Sequence, residues 1–269
     1  MNNLQKKNKI PIIVTAFGTT SKAFATYEKM DKVFKSSFPH NPIYWAYSSR
    51  MVKRILNKKT NQDLKDPLEM MDDLRSQGHE WVVLQSLHLI CGHEFDRLVS
   101  ERDSIDIRSS IGLPLLMSYT DYVATAKALG PLIYKISKFQ NDCPDQAIIL
   151  VGHGTDHPAW TAYFAFENIL RQIHGPNIFT GVVEGYPEME VTLKRVQSAG
   201  FKKVCIIPFM LVAGVHFKED LTREEDSWQK TFEHNGMEVS VVNHGIGEVD
   251  MISRIYCGHM SDALNIIPV

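Results

Sequence analysis

The chain has 269 residues, with 29 Lys and Arg against 31 Asp and Glu, and its net charge of −2 leaves no basic field to hold nucleic acid or an anionic membrane. Hydrophobic residues make up 44% and charged residues 22%, the balance of a soluble globular protein. No apolar run approaches the roughly 20 residues that span a bilayer, so no transmembrane helix is expected.

In chain order, short apolar runs rich in β-branched residues alternate with longer amphipathic stretches, the pattern of βαβ units built on a parallel sheet. The basic start leads into a strand over 10–16, whose apolar stretch is too short for a signal peptide, and a cytoplasmic chain is expected. A helix over 24–37 follows, then a strand over 43–46, a helix over 68–77, strands over 81–86 and 115–118, and a helix over 122–138. The second half repeats the scheme, with strands over 147–151, 177–183, 203–208 and 239–242 and helices over 161–174, 189–199 and 219–235. Four strands per half imply two α/β domains with parallel sheets, over 1–127 and 128–249, and a helix in 250–269 that packs back on the first. The cysteines Cys91, Cys143, Cys205 and Cys257 form no CxxC pair, which argues for reduced thiols and against zinc ribbons.

The halves resemble each other. Val14-Thr-Ala-Phe-Gly18-Thr-Thr matches Leu150-Val-Gly-His-Gly154-Thr-Asp, and the segment around Gly78 matches that around Gly200. Gly92 and Gly214 stand at the same spacing beyond them, each followed by a phenylalanine (Phe95, Phe217), and Gly112 pairs with Gly236 ahead of an apolar strand. Three blocks in one order point to duplication. The alignment sets His153 on Phe17, Glu184 near Ala46 and His216 on Glu94, which concentrates the polar chemistry in the second half.

His153 sits between Gly152 and Gly154 after an apolar strand, where flanking glycines let the chain bend and a large ligand approach. A strand-end histidine bonded to backbone would look the same. His216 follows Gly214 ahead of an acidic helix start; a helix N-terminus disfavours the imidazolium, and neutral imidazole is the metal-binding form. Glu184 closes the apolar run before it, and a carboxylate there needs a partner: a metal flanked by imidazoles, a helix N-terminus or an arginine. All three follow predicted strands, and ligands of open parallel sheets bind beyond the carboxyl ends of the strands. Two imidazoles and a carboxylate suit cobalt, iron, nickel or zinc alike.

His88, Cys91, His93 and Glu94 fall within seven residues but match no closed zinc pattern. From its alignment with His216, Glu94 is read as a proton acceptor or substrate contact in the same cleft. Gly18-Thr19-Thr20-Ser21 looks like an anion-binding loop ahead of a helix. GxGxxG and GxxxxGK[ST] are both missing, so no nucleotide is expected. His40, His79, His174, His234, His244 and His259 are read as structural or surface residues.

Together the segments Val14-Thr-Ala-Phe-Gly-Thr-Thr, Gln85-Ser-Leu-His-Leu-Ile, Gly152-His-Gly154, Val183-Glu-Gly-Tyr-Pro-Glu188, Pro208-Phe-Met-Leu-Val-Ala-Gly-Val-His216 and Asp226-Ser-Trp228 resemble the anaerobic cobalt chelatases of the CbiK type, class II chelatases. The resemblance implies two flavodoxin-like domains with the active site in the cleft between them, and insertion of Co²⁺ into sirohydrochlorin or a related tetrapyrrole in anaerobic cobalamin synthesis. It implies His153 as proton acceptor and His153, Glu184 and His216 as metal ligands, with Tyr186 beside the substrate. Glu94 would help take pyrrole protons, and Thr19, Thr20, Ser21 and a cation such as Arg50 or Lys53 would meet substrate carboxylates. His93 departs from the acidic or small polar residue expected in relatives. Fe²⁺ or Ni²⁺ as the working metal, and a non-catalytic haem or metal binder with His93 or His88 as axial ligand, are the competing readings; the oligomeric state is left open.

Overall fold

A computed structural model describes residues 9–60, 63–139, 146–214 and 219–268. The chain divides into two compact units, Met1–Met117 with Asp250–Val269, and Ser118–Val249. Each is built on a four-stranded parallel sheet.

The first unit contains β1 (Ile12–Ala16), α1 (Phe24–Ser37), β2 (Ile43–Tyr47), α2 (Arg50–Thr60), α3 (Pro67–Ser76), β3 (Trp81–Ser86), α4 (His93–Asp103), β4 (Arg108–Gly112) and the terminal helix α9 (Asp250–Ile266). Its strand order is β2-β1-β3-β4. Ile13, Ala46, Val82 and Leu84 bury one sheet face with Met71 and Leu74 of α3 and Leu98 of α4. α3 starts at a capping box: the Asp66 side chain accepts the Glu69 N–H and the Glu69 side chain accepts the Asp66 N–H. α9 packs on α1, β3 and β4. It is tied there by Ser110 Oγ donating to Ala263 O at 2.7 Å and Tyr256 Oη donating to His88 O at 2.9 Å.

The second unit contains α5 (Tyr119–Phe139), β5 (Gln146–Thr155), α6 (Thr161–His174), β6 (Ile178–Gly185), α7 (Met189–Ser198), β7 (Lys203–Pro208), α8 (Trp228–His234) and β8 (Glu238–Val241). The strand order β6-β5-β7-β8 repeats that of the first unit. Ile149, Val151, Phe179, Val204 and Ile206 pack against Val196, Trp228 and Phe232 on one face. At the sheet's edge, the buried Glu167 carboxylate accepts the Thr180 N–H at 2.7 Å and pairs with Arg195. β6 is an edge strand, and Glu167 satisfies a donor that no further strand would reach.

The ladders define the register of the duplication. Ile12 pairs with Ile43 and Val83, and Ile148 pairs with Ile178 and Cys205. Phe17 is thereby equivalent to His153 and Gly18 to Gly154, and both glycines have positive φ (96° and 90°). Counting along β2 and β6 places Glu184 opposite Ser49, three residues beyond the expected Ala46. The third block is out of register: Arg108 pairs with Trp81 as Glu238 pairs with Lys203, so Gly236 matches Asp106, and Gly112 ends β4 instead of preceding it.

Two predicted elements differ from those observed. Residues 115–118 form no strand; Leu115 N donates to His88 O and Leu116 N to Leu89 O, holding this stretch against the loop after β3. The fourth strand is the more polar Arg108–Gly112, an edge strand paired with β3 alone. The helix expected over 219–235 is split: a π-turn over Glu219–Arg223 precedes α8, whose start is fixed by Ser227 Oγ accepting the Lys230 N–H. Helices α2 and α4 were not anticipated.

Candidate functional site

His153 and Glu184 lie at the carboxyl ends of neighbouring parallel strands, where Gly154 and Glu184 are Cα partners. Both side chains are exposed, and among the described residues neither has a hydrogen-bond or ion-pair partner. The approach of the two strand ends depends on glycine. A Cβ on Gly154 would lie 1.7 Å from the Glu184 carbonyl oxygen, in a conformation (φ 90°) that side chains rarely adopt. On the other side of His153, a Cβ on Gly152 would lie 2.3 Å from Cε1 of Tyr163. The Gly-His-Gly end of β5 is therefore packed against β6 at one glycine and against α6 at the other.

Past the end of β5, His157 Nδ1 accepts the Ala159 N–H at 3.1 Å and caps the short 3₁₀ turn Pro158–Trp160. Trp160 and Phe164 form an aromatic group with Tyr186, two residues beyond Glu184, and their ring centroids each lie 5.5 Å from that of Tyr186. Tyr186 remains 45% exposed, which leaves part of its ring free for an apolar ligand. The sequence singles out Tyr186 but not Trp160 or Phe164, which read as ordinary apolar positions just before and just inside the start of an amphipathic helix.

His216 lies outside the described residues, so the structure bears on two of the three expected metal ligands. Among the described residues no group of three or more His, Cys, Asp or Glu side chains is arranged to hold a metal.

In the first unit, Glu94 occupies the first turn of α4, and its Oε2 is buried without a hydrogen-bond partner. His88 sits near it: Ser86 Oγ is 2.8 Å from Nδ1, while Nε2 is buried and unpaired. Burial pushes the His88 pKa down to about 4, opposed by attraction from the Glu94 carboxylate, so the ring is neutral near neutral pH. Thr19 and Ser21 spend much of their capacity within their own loop. Their hydroxyls are 3.0 Å apart, Thr19 Oγ1 accepts the Ser21 N–H and Ser21 Oγ accepts the Ala23 N–H. Thr20 is partly exposed. Lys53 is held by Asp66 at 2.8 Å and Glu69 at 2.6 Å, which leaves Arg50 as the freer of the two suggested cations.

Comparison with known proteins supplies the family. The model of the family described as "Cobalt chelatase (CbiK)" matches residues 10–265. This chain belongs to that cobalt chelatase family. It is 30% identical over 265 residues to the sirohydrochlorin cobaltochelatase of Salmonella typhimurium, covering 96% of this chain and 97% of the relative. It is 28% identical over 280 residues to sirohydrochlorin cobaltochelatase CbiKC of Nitratidesulfovibrio vulgaris, covering 98% and 96%. Among solved structures, the sirohydrochlorin chelatase SirB of Bacillus subtilis subspecies spizizenii in complex with cobalt superposes with a TM-score of 0.62 at 14% identity, over 96% of both chains. SirB from Bacillus subtilis with Fe³⁺ gives 0.64 at 13% identity, over 95% of both chains. At such identities these matches speak for the fold alone, two α/β units of chelatase type. No helix among the described residues is long and apolar enough to cross a membrane.

Proposed function

We propose that this chelatase inserts Co²⁺ into sirohydrochlorin, with His153, Glu184 and His216 receiving the metal and His153 also accepting pyrrole protons. Insertion breaks two pyrrole N–H bonds and forms metal–nitrogen bonds to the macrocycle, so two protons must leave as the cation enters. An imidazole that first holds the metal and then takes a proton serves both needs. The observation that carries the reading is the pairing of His153 and Glu184: an imidazole and a carboxylate, exposed and unpartnered, on adjacent strand ends. Such a pair is a poor structural device and a good landing place for a divalent cation. The full-length similarity to two sirohydrochlorin cobaltochelatases supports the substrate.

His216 enters from its segment, Leu211-Val-Ala-Gly-Val-His216. Glu94, with its unpartnered carboxylate oxygen, is the candidate for the second proton. Tyr186 would lie along the macrocycle, and Thr19, Thr20 and Ser21 would meet its carboxylates through the donors their loop leaves free. The test is a competition assay: sirohydrochlorin offered with Co²⁺, Fe²⁺ and Ni²⁺, with initial insertion rates recorded for each. Fastest insertion of Co²⁺ supports the proposal, and preference for Fe²⁺ or Ni²⁺, or no insertion, overturns it.

A further inference from the structure

Tyr163 stands one layer beneath the Gly-His-Gly end of β5. It lies on the first turn of α6, its side chain is 3% exposed, and its ring is held edge-on against Phe209 with centroids 6.5 Å apart. Its hydroxyl oxygen accepts the backbone N–H of Gly154 at 3.1 Å. Its own backbone carbonyl accepts a bond from Thr180 Oγ1 at 3.3 Å, which ties α6 to β6, the strand that ends in Glu184. The space above the ring is kept for Gly152, since a Cβ there would enter the ring edge. Tyr163 thus touches the residue before His153 by packing and the residue after it by a hydrogen bond. Burial raises its pKa to about 12, so at working pH the hydroxyl is neutral and accepts the amide proton without placing an anion beneath the site.

From this geometry we infer that Tyr163 is a positioning residue: by holding the Gly154 amide it fixes the backbone that aims the His153 imidazole at the metal. The ladder holds the Gly-His-Gly end of β5 from the β6 side, where Gly152 pairs with Val182 and Gly154 with Glu184, and the hydroxyl adds a second restraint from α6 at the residue after His153. Residues that orient a metal ligand without touching the metal commonly change metal affinity by about 10-fold to 100-fold when removed. The inference rests on the reading of His153 as a ligand.

The test uses Tyr163→Phe, which keeps the ring and deletes only the acceptor, and titrates the full chain with Co²⁺ alone while the visible absorption of the bound ion is followed. The expected result is a rise of about tenfold or more in the Co²⁺ dissociation constant and altered absorption bands, with the far-UV spectrum unchanged. Wild-type affinity and bands in a folded Tyr163→Phe overturn the inference. His153→Ala, titrated in parallel, separates the two levels. If it too binds Co²⁺ like the wild type, the ligand reading fails; if it alone weakens binding, only the role of Tyr163 fails. Should Tyr163→Phe not fold, the Gly154 amide of the ¹⁵N-labelled wild-type protein gives the answer. Slow solvent exchange is expected for an amide held by a buried hydroxyl, and fast exchange overturns the inference.

Discussion

Gly154→Ala isolates the contact between the two strand ends that carry His153 and Glu184. Two costs add. An alanine at φ 90° is strained by roughly 1–2 kcal/mol. Its Cβ would also stand 1.7 Å from the Glu184 carbonyl oxygen, where real Cβ atoms essentially never come within 3.0 Å, so the backbones must part by about 1.3 Å (3.0 − 1.7). Separation at the end of the β5–β6 ladder gives up one or two hydrogen bonds, at about 0.5–1.5 kcal/mol each. The sum is about 1.5–5 kcal/mol of stability. The same displacement moves Glu184 relative to His153, and a misplacement of about 1 Å can cost roughly 100-fold in rate. Gly200→Ala is the control: its φ is 84°, nothing lies within 4 Å of the added Cβ, and only the strain of roughly 1–2 kcal/mol applies. Urea unfolding and initial rates of metal insertion per folded molecule, measured on both variants, separate strain from displacement. A Gly154→Ala enzyme as stable and as active as Gly200→Ala would refute the reasoning.

Two further outcomes follow from buried polar groups. Glu167→Ala removes the partner of Arg195 and of the Thr180 N–H; with Arg195 partly exposed, a loss of about 3 kcal/mol is expected in urea unfolding, and an unchanged midpoint would contradict the role given to this carboxylate. His88 gives the protein an acid-sensitive step. Its pKa falls from 6.5 to about 4 on folding, so between those values the unfolded chain binds the extra proton and stability drops as pH is lowered, by up to about 3 kcal/mol. His88→Gln should flatten stability against pH in that window and leave the slope above pH 6.5 alone; equal slopes in both proteins would count against it.

The alternation of apolar runs located most strands because central parallel strands are buried on both faces and read as continuous apolar segments, as Trp81–Ser86 and Lys203–Pro208 do. It failed at the edge. Arg108–Gly112 pairs on one side only and tolerates polar residues, while Leu115 and Leu116 are buried without being a strand. The duplication was legible at Gly18 and Gly154 and at Gly78 and Gly200, where positive φ imposes glycine on both copies. The Gly112 and Gly236 match carried no such constraint and was coincidental. For the site, a histidine between glycines and a glutamate at a strand end were visible as chemistry. Tyr163, Trp160 and Phe164 were not, because their placement depends on which face of α6 Tyr163 and Phe164 occupy and on the 3₁₀ turn that carries Trp160 ahead of it.

The most direct measurement is the rate of Co²⁺ insertion into sirohydrochlorin by His153→Ala at saturating Co²⁺, followed by the change in macrocycle absorption. If His153 both receives the metal and takes a pyrrole proton, added metal cannot restore the lost base, and a fall of about 100-fold or more is expected. A rate near that of the wild type would contradict the assignment.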